Sequence, residues 1–155
     1  MCSTQACVAQ TYKALWLSNL EIPLANKFYR QHGFRGKAKR HQPCAVVKNS
    51  QDKIIGCGYL RDYGTFKLLA GVAVAPDYQG RGVARLLLQL LAEHFDQQTY
   101  TFPYQPLLPL YQSLGFKCIE PELETQQPVS SLYQTYLKQG RSIALMVFEP
   151  NIEQK

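Results

Sequence analysis

The passage "VAVAPDYQGRGVARLLLQLLAEHF", residues 72–95, constrains this chain more than any other. Small and β-branched residues run into a Pro-Asp turn, then a glycine-rich loop, then a leucine-rich pattern. The order predicts strand, tight loop and helix. "TFKLLAGVAVA" is the most apolar strand and is expected near the middle of a sheet, where both faces are covered. Val83, Leu86, Leu87, Leu90, Leu91 and His94 follow the i, i+3, i+4, i+7, i+8 pattern, so 81–95 is the strongest predicted helix. Gly80 and Gly82 allow positive φ and let a ligand approach without a Cβ clash. The first N–H groups of a helix have no internal partners, and the helix dipole adds positive potential. "QGRGVA" is therefore suited to an anion, with Arg81 or Arg85 able to add charge. A P-loop would need Lys-Ser/Thr after its second glycine, and there is none. A dinucleotide loop would need a third glycine where Arg85 stands. A glycine-rich turn that holds nothing is the remaining alternative on spacing alone.

The rest of the chain reads as a regular series. "YKALWL" predicts a first strand, and "EIPLANKFYRQHGF" a helix with Ile22, Leu24, Ala25 and Phe28 on its apolar side and Gly33 at its end. A hairpin follows, with strands at 45–48 and 53–62 around a polar "NSQD" turn. After the long helix come a strand in "QTYTF", a short helix in "QPLLPLYQSLG", a strand in "FKCIE" and a loop in "EPELETQQP". A helix in "VSSLYQTYLKQG" and a last strand in "SIALMVFE" complete the chain. The order β-α-β-β-β-α-β-α-β-α-β predicts an α/β (α+β) protein with a mixed sheet flanked by helices.

The chain has 155 residues, a length that predicts one domain, 1–155, with a sizeable core. It carries 17 Lys/Arg against 11 Asp/Glu, a formal charge of +6, which favours acidic or phosphorylated partners. The five cysteines form no C-x-x-C and are read as reduced thiols of a cytoplasmic protein, with no metal site expected. No signal-peptide pattern opens the sequence, and no apolar run is long enough for a membrane span.

"GVAVAPDYQGRGVARLLL" resembles the acetyl-CoA motif of the GNAT superfamily of N-acetyltransferases, V-x-P-x-x-[QR]-x-x-G-x-[GA]. Val74, Pro76, Gln79, Gly82 and Ala84 match it at every fixed position. "LYQSLGF", residues 110–116, fits the family's second signature, a Tyr on a short helix ahead of a Gly-Phe strand entry. The two motifs come in the family's order, and the element order matches over nearly the whole chain. The resemblance implies the GNAT fold, with a mixed, mostly antiparallel central sheet. It implies an acetyl-CoA-dependent N-acetyltransferase acting on a primary amine by direct attack in a ternary complex. Backbone groups of Val72, Ala73 and Val74 would pair with the pantetheine arm. Backbone N–H groups of Gln79, Gly80, Arg81, Gly82, Val83 and Ala84 would cradle the pyrophosphate. Tyr111 would be the catalytic acid at the leaving thiolate, since a Tyr hydroxyl stays protonated at neutral pH. A core tyrosine is the alternative for Tyr111. A CoA- or acyl-CoA-binding sensor or partner protein without turnover is the alternative for the whole chain.

Two features depart from the family pattern. Many members carry a Glu at the start of the strand before the Tyr helix, but "QQTYTF" has no carboxylate there. Tyr104 replaces an Asn often seen ahead of the Tyr. Glu21, His32 and Asp62 are candidate bases, and a protein base is not required for an amine already partly neutral. Residues 30–41, "RQHGFRGKAKRH", hold five Lys/Arg, two His and no acid. The resemblance places them in a loop that lines the acceptor site. Arg35, Lys37, Lys39 and Arg40 would suit an anionic acceptor, RNA or the 3′-phosphate of CoA, or form a solvated loop. No aromatic-basic interleaving marks an RNA-binding module, so nucleic acid is not the expected partner. The expected partner is a small-molecule, peptide or protein amine, without a membrane. Val129, Leu132, Tyr133, Tyr136 and Leu137 form a stripe suited to core packing, an acceptor cover or a homodimer contact.

Overall fold

The computed structural model describes residues 11–120 and 127–149. Its strands are β1 (Lys13–Trp16), β2 (Cys44–Lys48), β3 (Ile54–Asp62), β4 (Lys67–Val74), β5 (Thr99–Thr101), β6 (Phe116–Cys118) and β7 (Met146–Phe148). Its α-helices are α1 (Ile22–His32), α2 (Val83–Leu91), α3 (Leu108–Ser113) and α4 (Gln127–Lys138). The element order is the one the sequence predicts. The hydrogen-bonded strand order is β1-β2-β3-β4-β5-β7-β6, which puts the apolar β4 in the middle. Pairing is antiparallel for β1–β2, β2–β3, β5–β7 and β6–β7, and parallel for β4–β5. This is a mixed, mostly antiparallel sheet. The chain divides into two compact units, one built on residues up to Leu60 with Ala70–Glu93, the other on Arg61–Leu69 with residues from His94 onward.

In the first unit both faces of the sheet are covered, which is why β2, "CAVVK", reads as an unbroken apolar run. The alternation of β3 decides what lies on each face. Cys57 and Tyr59 join Ile22, Ala25, Phe28 and Tyr29 of α1 in one buried cluster with Cys44 and Val46. Gly56 and Gly58 point the other way, and α2 lies close against them. A Cβ on Gly56 would sit 2.9 Å from Val83 Cγ1, and one on Gly58 would sit 3.1 Å from Leu91 Cδ1. Two missing side chains thus let α2 settle near the strands, with its first residue fixed in place.

The second unit starts from the parallel ladder Lys67↔Thr99, Leu68↔Tyr100 and Leu69↔Thr101. Thr101 Oγ1 donates to the Leu69 carbonyl at 3.0 Å, which satisfies a buried hydroxyl. Lys67 Nζ bridges Asp96 at 2.9 Å and donates to the His94 carbonyl at 2.9 Å. The rings of Phe95, Phe116 and Phe148 pack at centroid distances of 5.2 to 5.5 Å. Phe102 meets Tyr133 and Tyr136 of α4 at 5.4 and 5.5 Å.

Several expectations need correction. Leu24 is 46% exposed, while Tyr29 is buried, so the buried side of α1 is Ile22, Ala25, Phe28 and Tyr29. The long helix ends at Leu91 and tightens into a 3₁₀ turn over Ala92–His94, which carries His94 to the surface. Its buried positions are Val83, Leu87, Leu88 and Leu91, with Leu86 and Leu90 only half-buried. The predicted stripe is therefore rotated by about one residue along its second half. The last strand is shorter than "SIALMVFE", because Ile143 makes only an isolated bridge to Tyr104. Cys44, Cys57 and Cys118 are free thiols, and Cys2 and Cys7 lie outside the described residues.

Candidate active site

β4 pairs with β5 only as far as Leu69 and continues as Ala70–Val74, all half-buried although apolar. At its start Gly71 has φ +65°, and Tyr29 Oη donates to the Gly71 carbonyl at 2.6 Å. A Cβ there would fall 2.3 Å from the Tyr59 ring. The left-handed backbone at Gly71 is thus fixed from the α1 face by two buried tyrosines. Val72, Ala73 and Val74 follow it, each half-buried.

A 3₁₀ turn at Pro76–Tyr78 then leads into the glycine loop. Gln79 Nε2 donates back to the Val74 carbonyl at 3.1 Å, closing the loop onto the strand end. Tyr78 Oη accepts from Asn49 Nδ2 at 3.0 Å, and Asn49 Oδ1 in turn accepts from the Gln51 and Lys53 N–H groups. The β2–β3 turn therefore braces the loop. Gly80 and Gly82 have φ of +79° and +84°, left-handed values that disfavour any residue with a Cβ. Nothing stands within 4 Å of the place where either Cβ would be, so the requirement is backbone conformation and the space beside it is open.

Gly82 is the N-cap of α2 and supplies no side-chain cap, and the first turn of α2 has no acid. Helix ends usually carry both, worth about 1 kcal/mol for a cap and about 0.3–1 kcal/mol for the dipole interaction. Here the end carries Arg81 and Arg85 instead, both exposed. The two arginines are not equivalent. Arg81 Nη1 lies 3.4 Å from Tyr12 Oη, and its guanidinium stands 5.4 Å over the Tyr78 ring. Arg85 sits on the first turn of the helix.

Tyr111, on α3, is 3% exposed and packs edge-to-face on Phe116 at 5.9 Å. Among the described residues its hydroxyl makes no hydrogen bond. Burial pushes its pKa well above the ordinary tyrosine value, so the proton stays on Oη. The environment is that of a core tyrosine whose polar end is unspent, and a buried Tyr hydroxyl ordinarily finds a partner.

The candidate bases all have structural work. The Glu21 carboxylate accepts the Ser18 N–H at 2.9 Å, and this backbone hydrogen bond holds its pKa below the usual range. The His32 ring packs at a tilt against Phe28 and Phe34. Asp62 Oδ1 accepts the Gly64 N–H at 2.8 Å in a tight turn. On β5, Thr99 and Thr101 are buried and bound to Asp96 and to the Leu69 carbonyl. Tyr104 is 49% exposed. Sequence reasoning missed Tyr29 and Asn49, which hold the strand and loop; a helix tyrosine and a turn asparagine carry no local sign of such distant partners. Among the described residues no group of three or more His, Cys, Asp or Glu could hold a metal, and no helix is long and apolar enough to cross a membrane.

The family model for the Acetyltransferase (GNAT) domain matches residues 40–118, just over half of the chain. No curated protein is significantly similar in sequence. Among solved structures, the ribosomal-protein-S18-alanine N-acetyltransferase from Escherichia coli is 16% identical, with 92% of this chain and 97% of that chain covered and a TM-score of 0.60. A putative N-acetyltransferase from Lactobacillus plantarum is 15% identical over 88% of this chain and 96% of that one, with a TM-score of 0.59. The N-acetylglutamate synthase from Neisseria gonorrhoeae, complexed with coenzyme A and N-acetyl-glutamate, is 14% identical over 89% of this chain, with a TM-score of 0.63. This chain spans only 35% of that synthase's length. At these identities the likeness is one of fold.

Proposed function

The chain belongs to the GNAT acetyltransferase family, and we propose that it transfers an acetyl group from acetyl-CoA to a primary amine within a ternary complex. Residues 1–155 are read as one catalytic domain. The observation that carries the proposal is the N-terminus of α2. It has a left-handed glycine cap, no acid in its first turn, and open space beside both glycines. Such an end suits a diphosphate, which accepts several N–H groups and cancels the dipole.

Acetyl-CoA, when bound, supplies an acyl thioester. The chain's own groups bind and orient it. Backbone N–H groups of Gln79, Gly80, Arg81, Gly82, Val83 and Ala84 hold the pyrophosphate. Backbone groups of Val72, Ala73 and Val74, which follow the left-handed Gly71, would direct the pantetheine arm. Tyr111 holds a proton on Oη and would be the acid that protonates the leaving thiolate. Its raised pKa keeps that proton in place at working pH until sulfur takes on charge. No side-chain base is assigned, because Glu21, His32 and Asp62 are each engaged elsewhere. Amines that are partly neutral at working pH are the preferred acceptors on this reading. Small-molecule and peptide or protein amines are the two acceptor classes. The synthase and the ribosomal-protein acetyltransferase, similar in fold, support both.

The test is release of free thiol from acetyl-CoA against a broad panel of amino acids, polyamines and peptide N-termini. Turnover with at least one acceptor is expected. Tight acetyl-CoA binding with no release for any acceptor would overturn the enzymatic assignment in favour of a binding module.

A further inference from the structure

Residues 33–41 have no regular secondary structure, yet they are held at many points. The Asn26 side chain clasps Ala38 from both sides: Oδ1 accepts the Ala38 N–H at 2.7 Å, and Nδ2 donates to the Ala38 carbonyl at 3.1 Å. The Lys37 N–H donates to Tyr59 Oη at 3.1 Å. The His41 N–H donates to Asn19 Oδ1 at 2.8 Å. Phe34 packs on Phe28 at 6.0 Å. A solvated loop does not need this many fixed partners.

Burial alternates along the segment. Arg35, Lys37 and Lys39 are exposed, Gly36 is half-buried, and Ala38 is buried at 3%. A period of two is the mark of an extended backbone. The segment is therefore a ribbon that turns its small residues inward and presents three cations outward. At about 3.3 Å per residue, alternate side chains along it lie about 6.6 Å apart. Arg40 adds a further exposed cation, and the run from Arg30 to His41 contains no acid.

From this geometry we infer that the ribbon is a docking surface for an extended acidic peptide segment with carboxylates at alternate positions. Such a peptide has the same repeat as the ribbon, so each carboxylate meets a cation in register. The ribbon is ordered before binding, so little conformational freedom is lost on its side. Nucleic acid is less well matched, because no exposed aromatic ring is interleaved with the cations for base stacking. The inference does not depend on the acetyl-CoA assignment.

Fluorescence anisotropy with labelled octapeptides tests it. One probe alternates glutamate and serine; a second has the same composition with the glutamates in one block. The alternating probe should bind about tenfold tighter. Arg35→Ser with Lys39→Ser should remove that binding, and acetyl-CoA affinity measured on the same variant keeps failure here separable from failure of the acyl-carrier reading. Asn26→Ala removes no charge but frees Ala38, and it should erase the preference for the alternating probe. Equal binding of the two probes, or binding that survives the double substitution, would overturn the proposal. Tighter binding of an eight-nucleotide oligothymidylate at the same salt would also overturn it, and would mark the ribbon as a nucleic-acid surface.

Discussion

Two helix N-termini in the same unit are finished in opposite ways. The turn that leads into α1 is closed by the chain: Glu21 folds back onto the Ser18 N–H, and Pro23 follows in the first turn, where a missing N–H costs nothing. α2 begins on Gly82 in a left-handed conformation, with no capping side chain, no acid in its first turn and two arginines nearby. The first end has its anion built in. The second has none. The capping and dipole contributions absent from α2 amount to about 1–2 kcal/mol. The carboxylate belongs to the 3₁₀ turn ahead of α1, and nothing equivalent precedes α2, which is what the proposed diphosphate seat rests on.

The largest effect should come from giving α2 the carboxylate that α1 has. Gly82→Glu puts a negative side chain in the phosphate seat, where like-charge contact costs several kcal/mol. Acetyl-CoA affinity measured by calorimetry should fall at least ~100-fold. An unchanged affinity would break the contrast between the two ends. Next, Tyr111→Phe separates binding at α2 from chemistry at α3. It should lower kcat by about 10²-fold with little change in acetyl-CoA affinity. An unchanged kcat would leave Tyr111 as a core residue. A third substitution moves the open end without touching its chemistry. Gly56→Ala drives a methyl group against Val83, the first residue of α2. It should cost about 1–3 kcal/mol in urea unfolding and also weaken acetyl-CoA binding. Loss of stability with full affinity would show that the position of α2 does not matter for the seat.

The smallest effect concerns the closed end. The folded-state pKa of Glu21 lies below its unfolded value of about 4.3, because the Ser18 N–H stabilises the carboxylate. Its contribution is therefore complete above that value and disappears as pH falls through the folded-state pKa. Glu21→Gln should lower the Tm slightly at pH 7 and make no difference once the wild-type carboxyl is protonated. A difference that persists at the acid end would assign the effect to packing.

Much of this was legible beforehand, and the failures have physical causes. The element order followed from period and punctuation, and the central place of β4 followed from its unbroken apolar run. The glycine loop could be read because positive φ and an uncapped helix start leave a local pattern. Glu21 was ambiguous, since a carboxylate before a helix has the same letter whether it caps or catalyses; its 2.9 Å partner shows the structural role. Leu24 was placed inside by periodicity, while Tyr29, carrying a hydroxyl, was passed over. Its burial depends on the Gly71 carbonyl, 42 residues away along the chain. The basic run at 30–41 was open between several readings because composition does not show whether a loop is held. The Asn26 clasp on Ala38 supplies that information, and it joins residues 12 apart.

The central claim is that the open end of α2 is the seat of the acyl carrier's diphosphate. The direct measurement is an amide ¹H–¹⁵N titration with acetyl-CoA. The largest shifts should fall on the N–H groups of Gln79 through Ala84, while Ser18 and the start of α1 stay still. Saturable binding that leaves the amides of Gly80 to Ala84 unmoved would contradict it.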